Sequence, residues 1–298
     1  MKYRIHHVTR YAYGSPVSLC HSIAHLKPRE SLYQRCLNST VRATPWPSVA
    51  REHRDLFGNR VSYFSIQQAH STLEITAVSE VEVDAPVLPN QGQSPSWEQV
   101  RDRLRVDTDP ASIGARAFAL PSPSVPLVAA ATDFARVSFT PGRPLTEAAL
   151  ELTHRIYTEL EYDPAFTTVA TPLDHVLDHR RGVCQDFAHL AIAGLRGLGL
   201  AARYVSGYLE TLPPPGQPKL RGADASHAWF AIFLPGQGWP PDNGWIDLDP
   251  TNDCFIGEQH ITTAIGRDYR DVTPVRGVFY GGGEHQLTVA VDVDRLAA

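Results

Sequence analysis

Strict alternation of apolar and polar residues dominates the first part of the chain. In "STLEITAVSEVEVD", Leu73, Ile75, Ala77, Val81 and Val83 share one parity and Glu74, Thr76, Glu80, Glu82 and Asp84 the other. That is the signature of a half-buried strand. Upstream, "DLFGNRVSYFSI" sets Gly58-Asn59 between two apolar runs, the arrangement of a hairpin turn. Residues 1–90 are therefore expected to form a small β-rich N-terminal domain. The pattern then loosens: "APVLPNQGQSPS" and "LPSPSVP" are linker-like, with a short helix expected near 127–136 before "SFTPGRP". Residues 91–144 are expected to be a connector wrapped over a second domain.

Helical spacing takes over from residue 145. "LTEAALELTHRIYTELEY" carries Ala149, Leu152, Ile156 and Leu160 on one face, with Thr146 as a candidate N-cap. A second helix is expected after Cys184, with Phe187, Leu190, Ala191, Leu195 and Leu198 as its apolar stripe and Gly199 as its C′ stop. Three strands are then predicted in "ARYVSGYLE", "SHAWFAIFLP" and "NGWIDLDP", the first two separated by an exposed loop, "TLPPPGQPKLRGADA". "VFYGGGEHQLTVAVDV" places a turn between two further strands. The class is α+β: residues 145–298 form a helix cluster packed on an antiparallel sheet, with the C-terminal strands included.

Composition narrows the function. The chain's 298 residues, 43% hydrophobic and 20% charged, suit two folded soluble domains. Its net charge of −5 comes without a long block of either sign, so no nucleic-acid partner is expected. No stretch reaches the roughly 18 uninterrupted apolar residues of a membrane span. "MKYRIHHVTRYAYGSP" lacks the apolar run of a signal peptide. Cys20, Cys36, Cys184 and Cys254 contain no C-x-x-C pair, which argues against a zinc ribbon or a dense disulfide framework. A cytoplasmic protein with free thiols and no membrane association is expected; its oligomeric state has no signature in the chain.

One cysteine sits where chemistry is possible. In "RRGVCQDFAHL", Cys184 begins the predicted helix, where unpaired N–H groups and the helix dipole favour a thiolate. The same N–H groups can hold an oxyanion. Yet Cys184 precedes Phe187 by three residues and Ala191 by seven, so it also continues the apolar stripe. Helix geometry leaves a structural cysteine and a nucleophile equally open. Strand alternation groups His227, Trp229, Ala231 and Phe233. A histidine at the first residue of a strand can meet a cysteine across a sheet–helix interface; a buried histidine satisfied by backbone is the alternative. In "GWIDLDPTND", Trp245, Asp247 and Asp249 share a face. If the two strands are antiparallel neighbours, Asp249 lies nearer His227 than Asp247 does, by one pleat repeat of roughly 6.8 Å. An aspartate before Pro250 also suits a turn.

Taken together, "RRGVCQDFAHL", "ARYVSGYL", "SHAWFAIFLPGQGW" and "GWIDLDPTN" resemble the core of the bacterial transglutaminase-like superfamily, a circularly rearranged papain-like α+β core. The first 85 or so residues resemble the β-rich domain that accompanies it, and "GRDYRDVTPVRGVFYGGGEHQLTVAV" resembles the family's C-terminal end. The resemblance implies Cys184 as nucleophile, His227 as general base and acid, and Asp249 as the carboxylate that orients the histidine. Gln185 is a candidate oxyanion donor, and Trp229 and Trp245 are candidate cleft walls. Tyr208 is a candidate to face the site, while Asp186 suits a cap on the helix start. Cys20, Cys36 and Cys254 are expected to be inert. The missing C-x-x-C pairs argue against the superfamily's zinc-bearing deglycosylating branch, and no D-x-D-x-D loop supports calcium, so no cofactor or metal is expected. The implied reaction is acyl transfer from a peptide or protein substrate through a Cys184 thioester. Release to water, as in a peptidase or amidase, is favoured because water needs no second site. Release to an amine, as in a transglutaminase, is the alternative, and a non-catalytic binding module is a third reading.

Overall fold

The computed structural model describes residues 1–87, 94–169, 171–211, 222, 226–236 and 244–296. Most of "TLPPPGQPKLRGADA" lies outside them.

The N-terminal alternation builds five strands: β1 (Lys2–Ala24), β2 (Gln34–Thr44), β3 (Val49–Arg54), β4 (Arg60–Ile66) and β5 (His70–Val83). They pair in the order β2-β5-β1-β4-β3. β3 and β4 form the expected hairpin, closed where Asp55 Oδ1 accepts from the N–H groups of Phe57 and Asn59. Gly58 takes the left-handed φ of +76° there, which a side chain would resist.

The span from residue 94 to 144 is not a connector. It contributes α1 (Trp97–Val106), α2 (Pro110–Ala115), a 3-10 turn (Arg116–Ala119) and α3 (Ala129–Arg136). Trp97, Val100, Ala131, Phe134 and Ala135 belong to the main hydrophobic core. The start of α1 is a capping box in which Ser96 Oγ accepts from the N–H of Gln99 and the Gln99 side chain accepts from the Ser96 N–H.

The rest of the core follows as α4 (Leu145–Glu159), β6 (Glu161–Tyr162), α5 (Leu173–His179), β7 (Arg181–Gly182), α6 (Cys184–Gly197), β8 (Ala202–Leu209), β9 (Ser226–Phe233), β10 (Trp245–Asp249), β11 (Cys254–Phe255), β12 (His260–Gly266) and α7 (Tyr269–Val272). Pro144, not Thr146, holds the N-cap position of α4. Thr146 instead donates its N–H to Ser94 Oγ at 3.1 Å, so the cap oxygen arrives from a distant segment. α6 ends in a Schellman motif: Leu200 N–H bonds the Leu195 carbonyl, Gly199 N–H bonds the Arg196 carbonyl, and Gly199 takes φ +82°. The helix does not present a single apolar stripe. Every residue from Gln185 to Arg196 is buried, because α3, α4, α5 and the sheet enclose it.

The sheet order is β11-β10-β9-β8-β12, all antiparallel. α6 covers the face carrying Ala202, Tyr204, Ala228, Phe230 and Ile232. The opposite face carries Val205, Trp229, Ala231, Phe233 and Trp245.

The C-terminal strands β13 (Val275–Gly281) and β14 (His285–Arg295) do not belong to the core domain. Both pair with β1 and so join the N-terminal sheet, β14 along Tyr3–Tyr13 and β13 along Val17–Ala24. Long-range pairing decides this, because alternation sets which side chains face inward but not which strand lies alongside. Val291 and Val293 pack with Tyr3, Ile5, Val81 and Val83 against Tyr208 and Ile261 of the core.

The N-terminal region also grips β12, an edge strand that would otherwise expose unpaired backbone groups. The Gln34 amide accepts from Thr262 N–H and donates to Thr262 O, both at 2.8 Å. Asn59 accepts from Ile265 N–H at 2.9 Å and donates to Ile265 O at 2.8 Å. Two side-chain amides thus stand in for a missing neighbour strand.

Candidate active site

The start of α6 depends on a glycine and an acid. Asp186 folds back so that its Oδ2 accepts from Val183 N–H at 2.9 Å and from Thr167 Oγ1 at 2.6 Å. A Cβ on Gly182 would meet Asp186 Cβ at 2.9 Å, so only glycine permits this closure. Burial pushes the Asp186 carboxyl up from its ordinary value. Cys184, half-buried, opens the helix just beyond this cap.

The histidine is the second residue of β9 in the neighbouring sheet. β9 and β10 pair with Asp247 opposite Ala231 and Leu248 opposite Phe230, so Asp249 follows at the end nearest His227. His227 Nε2 bonds Asp249 Oδ2 at 2.7 Å. With Nε2 committed to Asp249, Nδ1 is the nitrogen of the same ring left for Cys184, whose thiol favours the charged imidazole. Asp247 is occupied elsewhere: its Oδ1 accepts from Trp229 Nε1 at 3.0 Å.

Electrostatics reinforce this order. Burial opposes a charge on His227, but the hydrogen bonds and charges of Asp249 and Cys184 outweigh it and raise its pKa to about 10. Burial likewise works against the Asp249 carboxylate, which is 0% exposed, yet bonds from His227 and His260 hold it well below the usual carboxylate range. Asn252 Nδ2 also donates to Oδ2 at 2.7 Å, and Thr251 N–H to Oδ1 at 2.9 Å. A buried carboxylate persists when donors surround it in this way.

The remaining candidates scatter. Gln185 follows Cys184 in the first helical turn and is nearly enclosed. Trp229 is fully buried, its ring 6.0 Å from that of His227, and lies within the sheet packing rather than on a cleft wall. Trp245 packs on the sheet face away from α6, against Phe118, Phe233 and Arg203. Tyr208 also turns away from Cys184, its hydroxyl bonded to His7 Nδ1 of the N-terminal sheet at 3.0 Å.

Residues not singled out from the pattern complete the site. Tyr162 sits opposite Gly182 in the parallel β6–β7 pair, and its ring meets Phe187 edge-on at 6.3 Å. His260 bonds Asp249 Oδ2 through Nε2 at 3.1 Å. Alternation carried no signal for it, because the strand it opens, β12, does not alternate in "HITTAIG".

His227, Asp249 and His260 bring ligand atoms within 4.8 Å of one another. However, His260 Nδ1 accepts from Gly257 N–H at 3.2 Å, which places the ring proton on Nε2. A cation would have to displace that proton and the Asn252 donor. The cluster is built to surround a carboxylate with protons.

Two family models match the chain: the bacterial transglutaminase-like N-terminal region over residues 3–82 and the transglutaminase-like superfamily over residues 133–250. The chain is 42% identical over 296 residues to an uncharacterised protein of Mycobacterium tuberculosis strain H37Rv, covering 98% of this chain and 92% of that one. It is 26% identical over 254 residues to a protein-glutamine gamma-glutamyltransferase of Pseudomonas aeruginosa, covering 76% of this chain and 36% of that protein. A crystal structure from Cytophaga hutchinsonii, carrying a provisional cysteine-protease assignment, superposes with a TM-score of 0.72 at 22% identity, over 100% of this chain and 91% of that one. The protein belongs to the bacterial transglutaminase-like family: a transglutaminase-like core preceded by the β-rich region typical of that family.

Proposed function

We propose that this protein is a cysteine-dependent acyl-transfer enzyme acting on amide bonds of peptides or proteins. The observation that carries this reading is the 2.7 Å bond from His227 to the buried Asp249, with Cys184 at the first residue of α6 acting on the same imidazole. Cys184 Sγ attacks the amide carbonyl, forming a C–S bond. The first-turn N–H groups of α6 face the developing oxyanion. His227 passes its proton to the departing amine or ammonia as the C–N bond breaks, leaving a thioester. Water then attacks the thioester, His227 takes up its proton, and the carboxylic acid leaves as Cys184 is regenerated. Asp249 holds the ring orientation throughout.

Hydrolysis is the preferred outcome because water needs no dedicated second site. Transamidation is the second reading, favoured by the likeness to the Pseudomonas aeruginosa gamma-glutamyltransferase. The four cysteines, all unpaired, support a reducing, cytoplasmic setting. Incubating the protein with a glutaminyl and peptide library plus a primary amine, read by mass spectrometry, separates the outcomes. Cleaved or deamidated products alone support hydrolysis, and amine adducts overturn that preference. Identical products from Cys184→Ser would refute the enzyme reading.

A further inference from the structure

Asp249 receives two imidazoles, and His227 is the one whose ring Cys184 influences. His260 is buried, and both of its ring nitrogens have partners. Nδ1 accepts from Gly257 N–H at 3.2 Å, and Nε2 reaches Asp249 Oδ2 at 3.1 Å. A backbone N–H can only donate, so the Nδ1 lone pair is committed and Nε2 carries the proton. The indole of Trp229 packs edge-on against the ring at 5.4 Å, and the Trp229–Asp247 bond fixes that indole. His260 also opens β12, the strand whose outer edge is gripped by Gln34 and Asn59.

We propose that His260 is a positioning residue of the reacting centre: as an Nε2–H tautomer it donates to Asp249 Oδ2, and the N-terminal region sets it there by clamping β12. This rests on the assignment of Cys184, His227 and Asp249 to acyl transfer. It also gives the N-terminal region a task, since a shift of β12 would move the donor away from the carboxylate. A carboxylate with a single imidazole on Oδ2 can rotate and share His227 with water. One held by His260 and Asn252 as well has only the orientation that faces His227.

The groups around Asp249 are few enough to interpret a pH profile. β9 supplies His227, β12 His260, and β11 Cys254, which lies directly opposite Asp249. Thr251 and Asn252 come from the following turn. Asp253, also nearby, is paired with His154 of α4.

The experiment uses the full chain and needs no substrate. Iodoacetamide labelling of Cys184 is followed by mass spectrometry between about pH 4 and about pH 9. His260→Phe keeps the ring volume and removes the donor. It is expected to slow labelling about tenfold and to move the acid limb up by about one pH unit, the size of one hydrogen bond to a charged group. His260→Gln, which returns an N–H at similar reach, is expected to restore most of both. A His260→Phe profile superimposable on wild type in a folded protein would overturn the proposal while leaving the acyl-transfer reading in place. If His227→Ala also changes nothing, and Cys184 labels no faster than the other thiols, both fall. Long-range proton–nitrogen NMR on the wild-type protein adds a test independent of variant folding. His260 is expected to carry its proton on Nε2 with Nδ1 as the acceptor, and a ring with its proton on Nδ1 would overturn the proposal.

Discussion

Replacing Asp249 by asparagine removes one charge and changes almost no volume, so it tests the His227–Asp249 pair directly. The pair is almost entirely buried, with side chains 10% and 0% exposed, so solvent screens it little. A pKa raised from 6.5 to about 10 corresponds to an upper bound of roughly 5 kcal/mol in favour of the charged ring. Asp249 leads the groups that raise it, ahead of Cys184. Because the folded value lies above the ordinary 6.5, this contribution is full below pH 6.5 and is lost as pH rises through about 10. Asp249→Asn should therefore be destabilised by about 3–5 kcal/mol at the acid end of that window, the usual result of leaving one member of a buried pair behind. The gap to wild type should then narrow by at least about 2 kcal/mol as pH climbs towards 10. Urea unfolding of both proteins across the window measures it, and the difference cancels the groups not coupled to Asp249 or His227. A difference that stays constant from pH 6.5 to 10 would refute the assignment of a charged His227 held by Asp249.

Other consequences are equally direct. Burial pushes His7 and His189 down to about 4, so their neutral forms stabilise the fold fully above pH 6.5 and that support is lost as pH falls through 4. His189 Nε2 accepts from Tyr269 N–H; His189→Gln keeps an acceptor, and its acid unfolding midpoint should fall, an unchanged midpoint counting against the account. A Cβ at Gly207, the residue opposite His227, would lie 2.1 Å from the Ile261 carbonyl. Gly207→Ala should therefore lower Tm by several degrees, the effect of a few kcal/mol, and a melt matching wild type would show that β12 can move freely. Asn59→Ala breaks both bonds to Ile265 at a fully buried position, with an expected loss of about 2–4 kcal/mol in chemical unfolding. A loss below about 0.5 kcal/mol would mean that water replaces the clamp.

Much of the site was legible from local pattern. Alternation in "SHAWFAIFLP" and "GWIDLDPTND", with the antiparallel assumption, put Asp249 rather than Asp247 beside His227, and β9 and β10 pair in that sense. Gly199 announced the end of α6. These features depend on neighbours in the chain, and a period of two or 3.6 is written into them directly. What alternation lacks is the identity of the adjacent strand. It could not assign β13 and β14 to β1, nor turn Trp245 and Tyr208 away from Cys184, because either face of a strand reads alike until a partner covers it. The same holds for the span from 94 to 144, whose helices gain their stability from the core they pack on. His260 reaches Asp249 from eleven residues away, and Gln34 and Asn59 reach β12 from 228 and 206. The sequence by itself determined the candidate residue types and their local faces; only the tertiary structure decided which donors converge on Asp249, because hydrogen bonds across such separations exist only once both sheets have closed on each other.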